Sequence, residues 1–154
     1  MCGITGVVGS RPNPEVLVRM GQAIAHRGPN DASETVFDEA GFAFRRLSII
    51  DVTGGQQPIW NERHDVAILL NGEIYNHLQL RAGLEERGHR FGTRSDVESV
   101  LHLWEEKGAD CLADLRGMFA LSIWDTRTSI PLLARARPGK SPLHYHAVPG
   151  CPVF

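Results

Sequence analysis

The order of the β-like and helix-like segments is the feature that most restricts the fold of this chain. Short apolar or alternating segments predict strands near both ends of the chain, and helical patterns lie between and after them. A doubly wound parallel sheet instead needs strands and helices that alternate steadily. The order therefore predicts an α+β domain in which sheets pack together and helices lie outside them.

Local patterns place the individual elements. A strand is predicted at each of 4–8, 35–37, 41–51, 66–70, 118–124, 130–135 and 143–148. A first helix starts at Pro14 behind an Asn13 cap and ends in the segment 26–30, and a second covers 76–87 before Gly88. The third covers 95–107, where Ser95 and Glu98 have the spacing of a capping box. Residues 52–58 are predicted as a loop and 125–128 as a turn.

Length, charge and cysteine content limit the class of protein. The 154 residues suit one domain, and the formal net charge of −2 argues against a nucleic-acid partner. No apolar run is long enough to span a membrane, and the N-terminus does not have the pattern of a secretory signal. Cys2, Cys111 and Cys151 are odd in number and far apart, which favours a reducing, cytoplasmic location over a disulfide framework.

Cys2 directly follows the start methionine. Removal of Met1 would give one residue both a thiol and a free α-amine, whose unperturbed pKa values are about 8.5 and about 7.7–8.0. An N-terminal amine is a known activating base for a hydroxyl or thiol nucleophile. The alternative is that Cys2 is a small buried apolar residue.

Three further positions each have a structural and a functional interpretation. Asn71-Gly72 between two β-like segments is typical of a hairpin turn, but an Asn amide and a Gly N–H also suit an oxyanion hole. Arg46 is either a solvated strand residue or a fork for a substrate carboxylate. Asp96 is either an acid favoured by a helix dipole or the partner of a substrate ammonium group. Taken together, the functional interpretations match the two ends and the side-chain amide of glutamine.

The histidines and tryptophans have simpler interpretations. His144 and His146 would share one strand face, and His26 could join them as a metal ligand. Two histidines without a clear third ligand are more typical of a solvated surface, so no metal site is predicted. Trp60, Trp104 and Trp124 are interpreted as core residues.

Seven stretches, in order and over nearly the whole chain, resemble the glutaminase domain of class II glutamine amidotransferases, which are N-terminal-nucleophile hydrolases. They are MCGITGVVG, HRGPND, RRLSIIDVTGGQQP, NGEIYNH, RSDVESVLHLWEEKG, LRGMFALSIWD and the weaker LLARARPGKSPLHY. RLSIID together with NGEIYN resembles the branch of glutamine-hydrolysing asparagine synthetases in particular.

The resemblance implies a four-layer αββα sandwich of two antiparallel sheets and a role for each matched residue. Cys2 would be the nucleophile and its own α-amine the base, while Asn71 and Gly72 would form the oxyanion hole. Arg46 would bind the glutamine carboxylate, Asp96 would bind its α-amine, and Glu73 would contribute to glutamine binding. The implied reaction releases ammonia from L-glutamine through a thioester and needs no cofactor or metal.

The resemblance implies that residues 1–154 form one amidotransferase domain, truncated at its C-terminus. It also implies further parts beyond these residues. Family members continue into further strands and an ATP-dependent synthetase domain, where ATP and magnesium would act. Ala136 stands where the family has an aspartate between two arginines, and Pro138 and Ser141 are irregular. A different carboxylate acceptor, a catalytically silent partner-binding remnant and a homo-oligomer all stay open.

Overall fold

The structure is a computed structural model that describes residues 1–9, 11–48, 54–147 and 149–154. It divides into two compact units, one of Met1–Ser48 with Pro142–Phe154 and one of Ile49–Ser141. The strands are β1 Gly3–Val8, β2 Asp31–Val36, β3 Ala40–Arg46, β4 Ile59–Trp60, β5 Val66–Ile74, β6 Gly117–Asp125 and β7 Ile130–Arg135. The α-helices are α1 Pro14–Ala23, α2 His77–Glu86 and α3 Asp96–Lys107, and 3-10 turns cover Ala25–Arg27 and Gly108–Asp114.

The first unit is a three-stranded antiparallel sheet in the order β1-β3-β2 with α1 packed on it. Asn13 caps α1 as predicted, because its side chain accepts a hydrogen bond from the N–H of Glu15 at 2.9 Å. Leu17 is fully buried on the helix face that meets the sheet. The helix ends at Ala23 and a 3-10 turn follows, so the predicted end in the segment 26–30 was a few residues late.

The end of the chain pairs with β1 in this unit. Gly6 and Phe154 exchange two backbone hydrogen bonds at 2.9 and 3.0 Å, and the N–H of Val8 donates to Pro152 at 2.9 Å. The ring of Phe154 covers Gly6, where a Cβ would lie 2.5 Å from it. The predicted strand at 143–148 is reduced to one bridge between His146 and Val153, and residue 148 lies outside the described residues.

The second unit is a four-stranded antiparallel sheet in the order β4-β5-β6-β7. α3 packs on β5, and α2 packs on α3. The apolar face of α3 contributes Val97, Val100 and Leu101 to a core with Ile68, Leu70, Leu121 and Ile123. Trp124 is fully buried as predicted, whereas Trp60 and Trp104 are partly buried.

The start of α3 differs from the predicted capping box. Ser95 caps the helix by accepting a hydrogen bond from the N–H of Val97 at 3.3 Å. The carboxylate of Glu98 instead accepts hydrogen bonds from the N–H groups of Gly92 and Thr93 at 2.7 and 2.8 Å. Because the preceding loop supplies these donors, Glu98 fixes the loop rather than closing the box.

Two further predictions need correction. The helix predicted at 76–87 covers His77–Glu86, one residue shorter at each end. The Asn76 side chain bridges the carbonyl of Asp114 and the N–H of Arg116. β3 ends at Arg46, short of the predicted limit at residue 51. Positions 49–53, which include parts of that strand and of the loop predicted at 52–58, lie outside the described residues.

The prediction of an α+β fold with antiparallel sheets is confirmed. Among the described residues, the helices are all too short or too polar to cross a membrane. The cytoplasmic location and the single-domain assignment over 1–154 stay predictions.

Candidate active site

Cys2 lies directly before β1, at the end of the first unit's sheet where β3 also ends. Gly3 pairs with Arg45 of β3, and the N–H of Leu47 donates to the Cys2 sulfur at 3.4 Å. The carbonyl of Cys2 accepts a hydrogen bond from Nε of Arg27 at 3.3 Å. The thiol is half-buried and its residue still carries a peptide bond to Met1. A free amine on Cys2 therefore requires removal of Met1.

Arg46 is the last residue of β3 and only 5% exposed. Its burial contradicts the interpretation as a solvated strand residue. The HRGPN segment holds this strand end, because the N–H of Asn30 donates to the Arg46 carbonyl at 3.0 Å and its side chain accepts from Ser48 at 3.1 Å. A Cβ on Gly28 would overlap the carbonyl of Arg45. The structure thus places Cys2 and Arg46 at the same end of one sheet.

Asn71 and Gly72 lie inside β5, where they pair with Ala120 and Phe119 of β6. The hairpin-turn interpretation is therefore wrong. Asn71 is 5% exposed, and its side-chain oxygen is buried without a hydrogen-bond partner among the described residues. Burial of an amide oxygen without a partner costs free energy. A ligand that forms a hydrogen bond with this amide would therefore not have to remove water from that oxygen.

Gly72 has a packing reason to be glycine. Its φ is +151°, and a Cβ would overlap the carbonyl of Met118 on the neighbouring strand. The close approach of β6 therefore by itself requires glycine at this position. Gly72 is nevertheless exposed, whereas Asn71 and Leu70 before it are buried.

Asp96 is the first residue of α3 and is 4% exposed. Its Oδ2 accepts a hydrogen bond from the N–H of Ile74 at 2.8 Å. This bond ties the start of α3 to the end of β5, two residues after Gly72, with half-buried Glu73 between. A carboxyl group so deeply buried needs hydrogen-bond partners, and its contact with Ile74 is more specific than a helix-dipole effect requires.

The predicted residues therefore fall into two groups. Cys2 and Arg46 belong to the first unit, and Asn71, Gly72, Glu73 and Asp96 lie next to one another in the second. Their individual roles toward glutamine stay predictions.

The other cysteines differ from Cys2. Cys111 is fully buried, and burial together with the nearby Asp114 and Asp110 raises the pKa of its thiol to about 11. It is therefore protonated near neutral pH and a poor nucleophile. Cys151 is half-buried near the end of the chain.

The histidines proposed as a rival metal site do not form a ligand group. Among the described residues, the group with ligand atoms within 4.8 Å of one another is Glu62, His89 and His102. Burial by itself lowers the pKa of His102, but Glu98 and Glu105 outweigh this effect and hold the pKa above its usual value. Nδ1 of His102 lies 2.9 Å from Glu105, so ion pairs account for this cluster.

Two features of the second unit were not predicted from sequence. Gln57 lies in the predicted loop but is 8% exposed and bonds to the backbone of Leu70; no apolar periodicity marks it. Ala136 is buried, and its N–H donates to Phe119 at 2.9 Å. It lines a cavity of about 580 Å³ together with Arg135 and Arg137.

Comparisons with known proteins give a consistent result. A model of the glutamine amidotransferase domain family matches residues 1–153. Asparagine synthetase [glutamine-hydrolyzing] 2 of Bacillus subtilis is 42% identical over 151 residues, which are 94% of this chain and 20% of that protein. Asparagine synthetase B of Escherichia coli is 38% identical over 94% of this chain and 26% of its own length. The chain thus spans about a fifth to a quarter of these relatives.

Solved structures agree on the fold. The glutamine phosphoribosylpyrophosphate amidotransferase of B. subtilis, in complex with ADP and GMP, superposes with a TM-score of 0.78. The match covers 99% of this chain and 41% of that one at 20% identity. The chain therefore shares the fold of the matched part of that amidotransferase. With the family model covering 153 residues and relatives at about 40% identity, the chain belongs to the glutamine amidotransferase domain family.

Proposed function

We propose that the chain hydrolyses L-glutamine to glutamate and ammonia, with Cys2 as the nucleophile. The observation that carries this proposal is the half-buried thiol of residue 2 at the same sheet end as the buried guanidinium of Arg46. A thiol can act as the nucleophile toward a side-chain amide, and a guanidinium group can bind the α-carboxylate of the same amino acid. Membership of the amidotransferase family supports the choice of glutamine.

The chemistry begins when removal of Met1 frees the amine of Cys2. The amine takes the thiol proton, directly or through a water, and the thiolate adds to the side-chain amide carbon of glutamine. The negative charge on the amide oxygen is stabilised by the side-chain amide of Asn71 and the N–H of Gly72. The carbon–nitrogen bond breaks, the nitrogen takes the proton held by the amine and leaves as ammonia, and a thioester remains.

Water completes the reaction by adding to the thioester carbon while the amine accepts its proton. The carbon–sulfur bond then breaks, glutamate leaves, and the thiol is restored. Arg46 binds the α-carboxylate of glutamine, Asp96 binds its α-ammonium group, and Glu73 contributes to the same binding site. No step of this reaction uses a cofactor or a metal.

The ammonia would be passed to an ATP-dependent site of the asparagine synthetase type outside these 154 residues. The names of the relatives and the small share of their length that the chain covers support this assignment. An amidotransferase for another carboxylate acceptor is the alternative. The buried positions of Arg46, Asn71 and Asp96 favour a working site over a silent remnant.

The proposal is tested by the intact mass of the purified chain together with its ammonia release from glutamine. We expect a chain shortened by one Met that releases ammonia and equimolar glutamate. A chain that retains Met1 and is inactive is to be trimmed with an aminopeptidase and assayed again. A trimmed chain that still releases no ammonia would contradict the proposal.

Replacing Arg46 with alanine is expected to raise the KM for glutamine by about 10- to 100-fold with little change in kcat. A charge-assisted hydrogen bond contributes ~1.5–3 kcal/mol, and the carboxylate is bound equally in the ground and transition states. Steady-state kinetics over a wide glutamine range measures both constants.

Arg45→Ala is the matched control for this variant. Arg45 precedes Arg46 on β3, but its Nε donates to the carbonyl of Gly21 on α1 at 2.9 Å. Its loss should lower stability and leave KM unchanged. Equal KM values for the Arg46 variant and the parent chain would show that Arg46 does not bind the carboxylate of glutamine.

A further inference from the structure

Along the edge of β5 that faces β4, the backbone groups of alternate residues have hydrogen-bond partners. Alternate residues of an antiparallel strand direct their N–H and C=O groups to the same side. On this side Val66 accepts a hydrogen bond from the N–H of Asn61 at 3.1 Å, and Ile68 pairs with Ile59 of β4. Leu70, Gly72 and Ile74 are the next residues on the same edge.

β4 begins at Ile59, which pairs with Ile68, so β4 has no residue that could pair with Leu70. The side chain of Gln57 takes the place of a strand residue there. Its Oε1 accepts from the N–H of Leu70 at 2.6 Å, and its Nε2 donates to the Leu70 carbonyl at 3.1 Å. A primary amide has one acceptor oxygen and donor N–H groups, so it can satisfy both backbone groups of one residue.

The carboxylate of Asp96 occupies the equivalent place at Ile74, as described above. Gly72 lies midway between these two contacts and is exposed. Among the described residues, the N–H of Gly72 on this edge has no hydrogen-bond partner. Gln57 therefore holds this edge of β5 before Gly72 and Asp96 holds it after Gly72. In the described part of the chain, the Gly72 N–H between them is open to a ligand.

We propose that Gln57 is a positioning residue, which holds Leu70 and thereby fixes Asn71 and Gly72 as oxyanion donors. This inference rests on the proposed glutaminase function. Without the Gln57 amide, two buried backbone groups of Leu70 lose their partners, and the strand must shift toward other partners or water. Such a shift moves the donors directly after Leu70, and an error of about 1 Å in a catalytic group can cost about 100-fold in rate.

The test compares Gln57→Ala and Gln57→Asn with Gln56→Ala in the full chain. Asparagine keeps the amide but is one methylene shorter, so it cannot span to both groups of Leu70. Gln56 is the matched control because it is the adjacent glutamine and is exposed. Kinetics give kcat and KM for glutamine, and amide hydrogen exchange is followed at Leu70 and at Ile68.

We expect both Gln57 variants to lower kcat by about 10- to 100-fold with KM changed less than about threefold. Exchange should become faster at Leu70, whose N–H loses its Gln57 partner, and stay unchanged at Ile68. In the double variant Gln57→Ala with Asn71→Ala, the loss in kcat should be smaller than the product of the two single losses. Gln56→Ala should match the parent chain in every measurement.

A folded Gln57→Asn variant with parental kcat, or a melting temperature that falls without any change in kcat of the folded protein, would overturn the positioning role. The proposed glutaminase function would still stand in that case, provided that the parent chain releases ammonia. A Gln57→Ala variant that fails to fold leaves the decision to Gln57→Asn. An inactive parent chain with Met1 removed would refute the proposed function and this inference together.

Discussion

Replacement of Cys2 with alanine is expected to eliminate ammonia release from glutamine without unfolding the protein. The alanine variant has no group that can form the thioester. Loss of a covalent nucleophile costs on the order of 10⁶-fold in kcat in a hydrolase, so activity should fall below detection. The sulfur makes only weak hydrogen bonds to Leu47, at 3.4 and 3.7 Å, and its removal should change stability little.

The measurement is glutamate and ammonia formation, with intact mass and a melting curve for each preparation. Cys151→Ala is the matched control, because Cys151 is also a half-buried free cysteine of the first unit. It should remain fully active. Activity in Cys2→Ala would mean that another group attacks glutamine, and the nucleophile assignment would then be wrong.

Asn71→Ala is expected to have the second largest effect, a fall in kcat of about 10²–10³-fold with a small change in KM. This is the range found when one oxyanion-hole donor is removed. Because the side-chain oxygen of Asn71 is buried without a described partner, its truncation should cost little stability. Asn71→Ala is therefore expected to lower kcat strongly while the stability of the protein changes little.

Asn76→Ala is the control, because it should lower stability without lowering activity. The Asn76 side chain bridges the carbonyl of Asp114 and the N–H of Arg116 at 2.9 and 3.0 Å. Its removal should lower the melting temperature and leave kcat unchanged. If Asn71→Ala raises KM without lowering kcat, Asn71 binds the substrate rather than the developing oxyanion.

Elements with a strong local pattern could be predicted closely from the sequence. The helix predicted at 95–107 appears as Asp96–Lys107, and the strand predicted at 118–124 appears as Gly117–Asp125. In both segments the apolar period matches the element, and nearby polar residues mark its ends. Local signals and long-range packing agree there.

The prediction failed where a long-range contact outweighed a local signal. Asn71-Gly72 has the sequence of a tight turn, yet nine consecutive residues of β5 pair with β6 through these two positions. The hydrogen bonds and buried side chains of that pairing outweigh the turn preference. Gln57 was missed for a related reason, since its partner Leu70 is 13 residues away in the chain.

The sequence by itself determined the residue types and their local spacing: a cysteine at position 2, the arginine, asparagine, glycine and aspartate that predict a glutamine site, and the α+β order of elements. These are properties of residue type and local spacing. Only the tertiary structure decided that Arg46 and Asn71 are buried, that Gly72 is exposed within a strand, and that Gln57 and Asp96 hold the strand on either side of it. Burial and strand pairing depend on residues far apart in the chain, and no local pattern contains them.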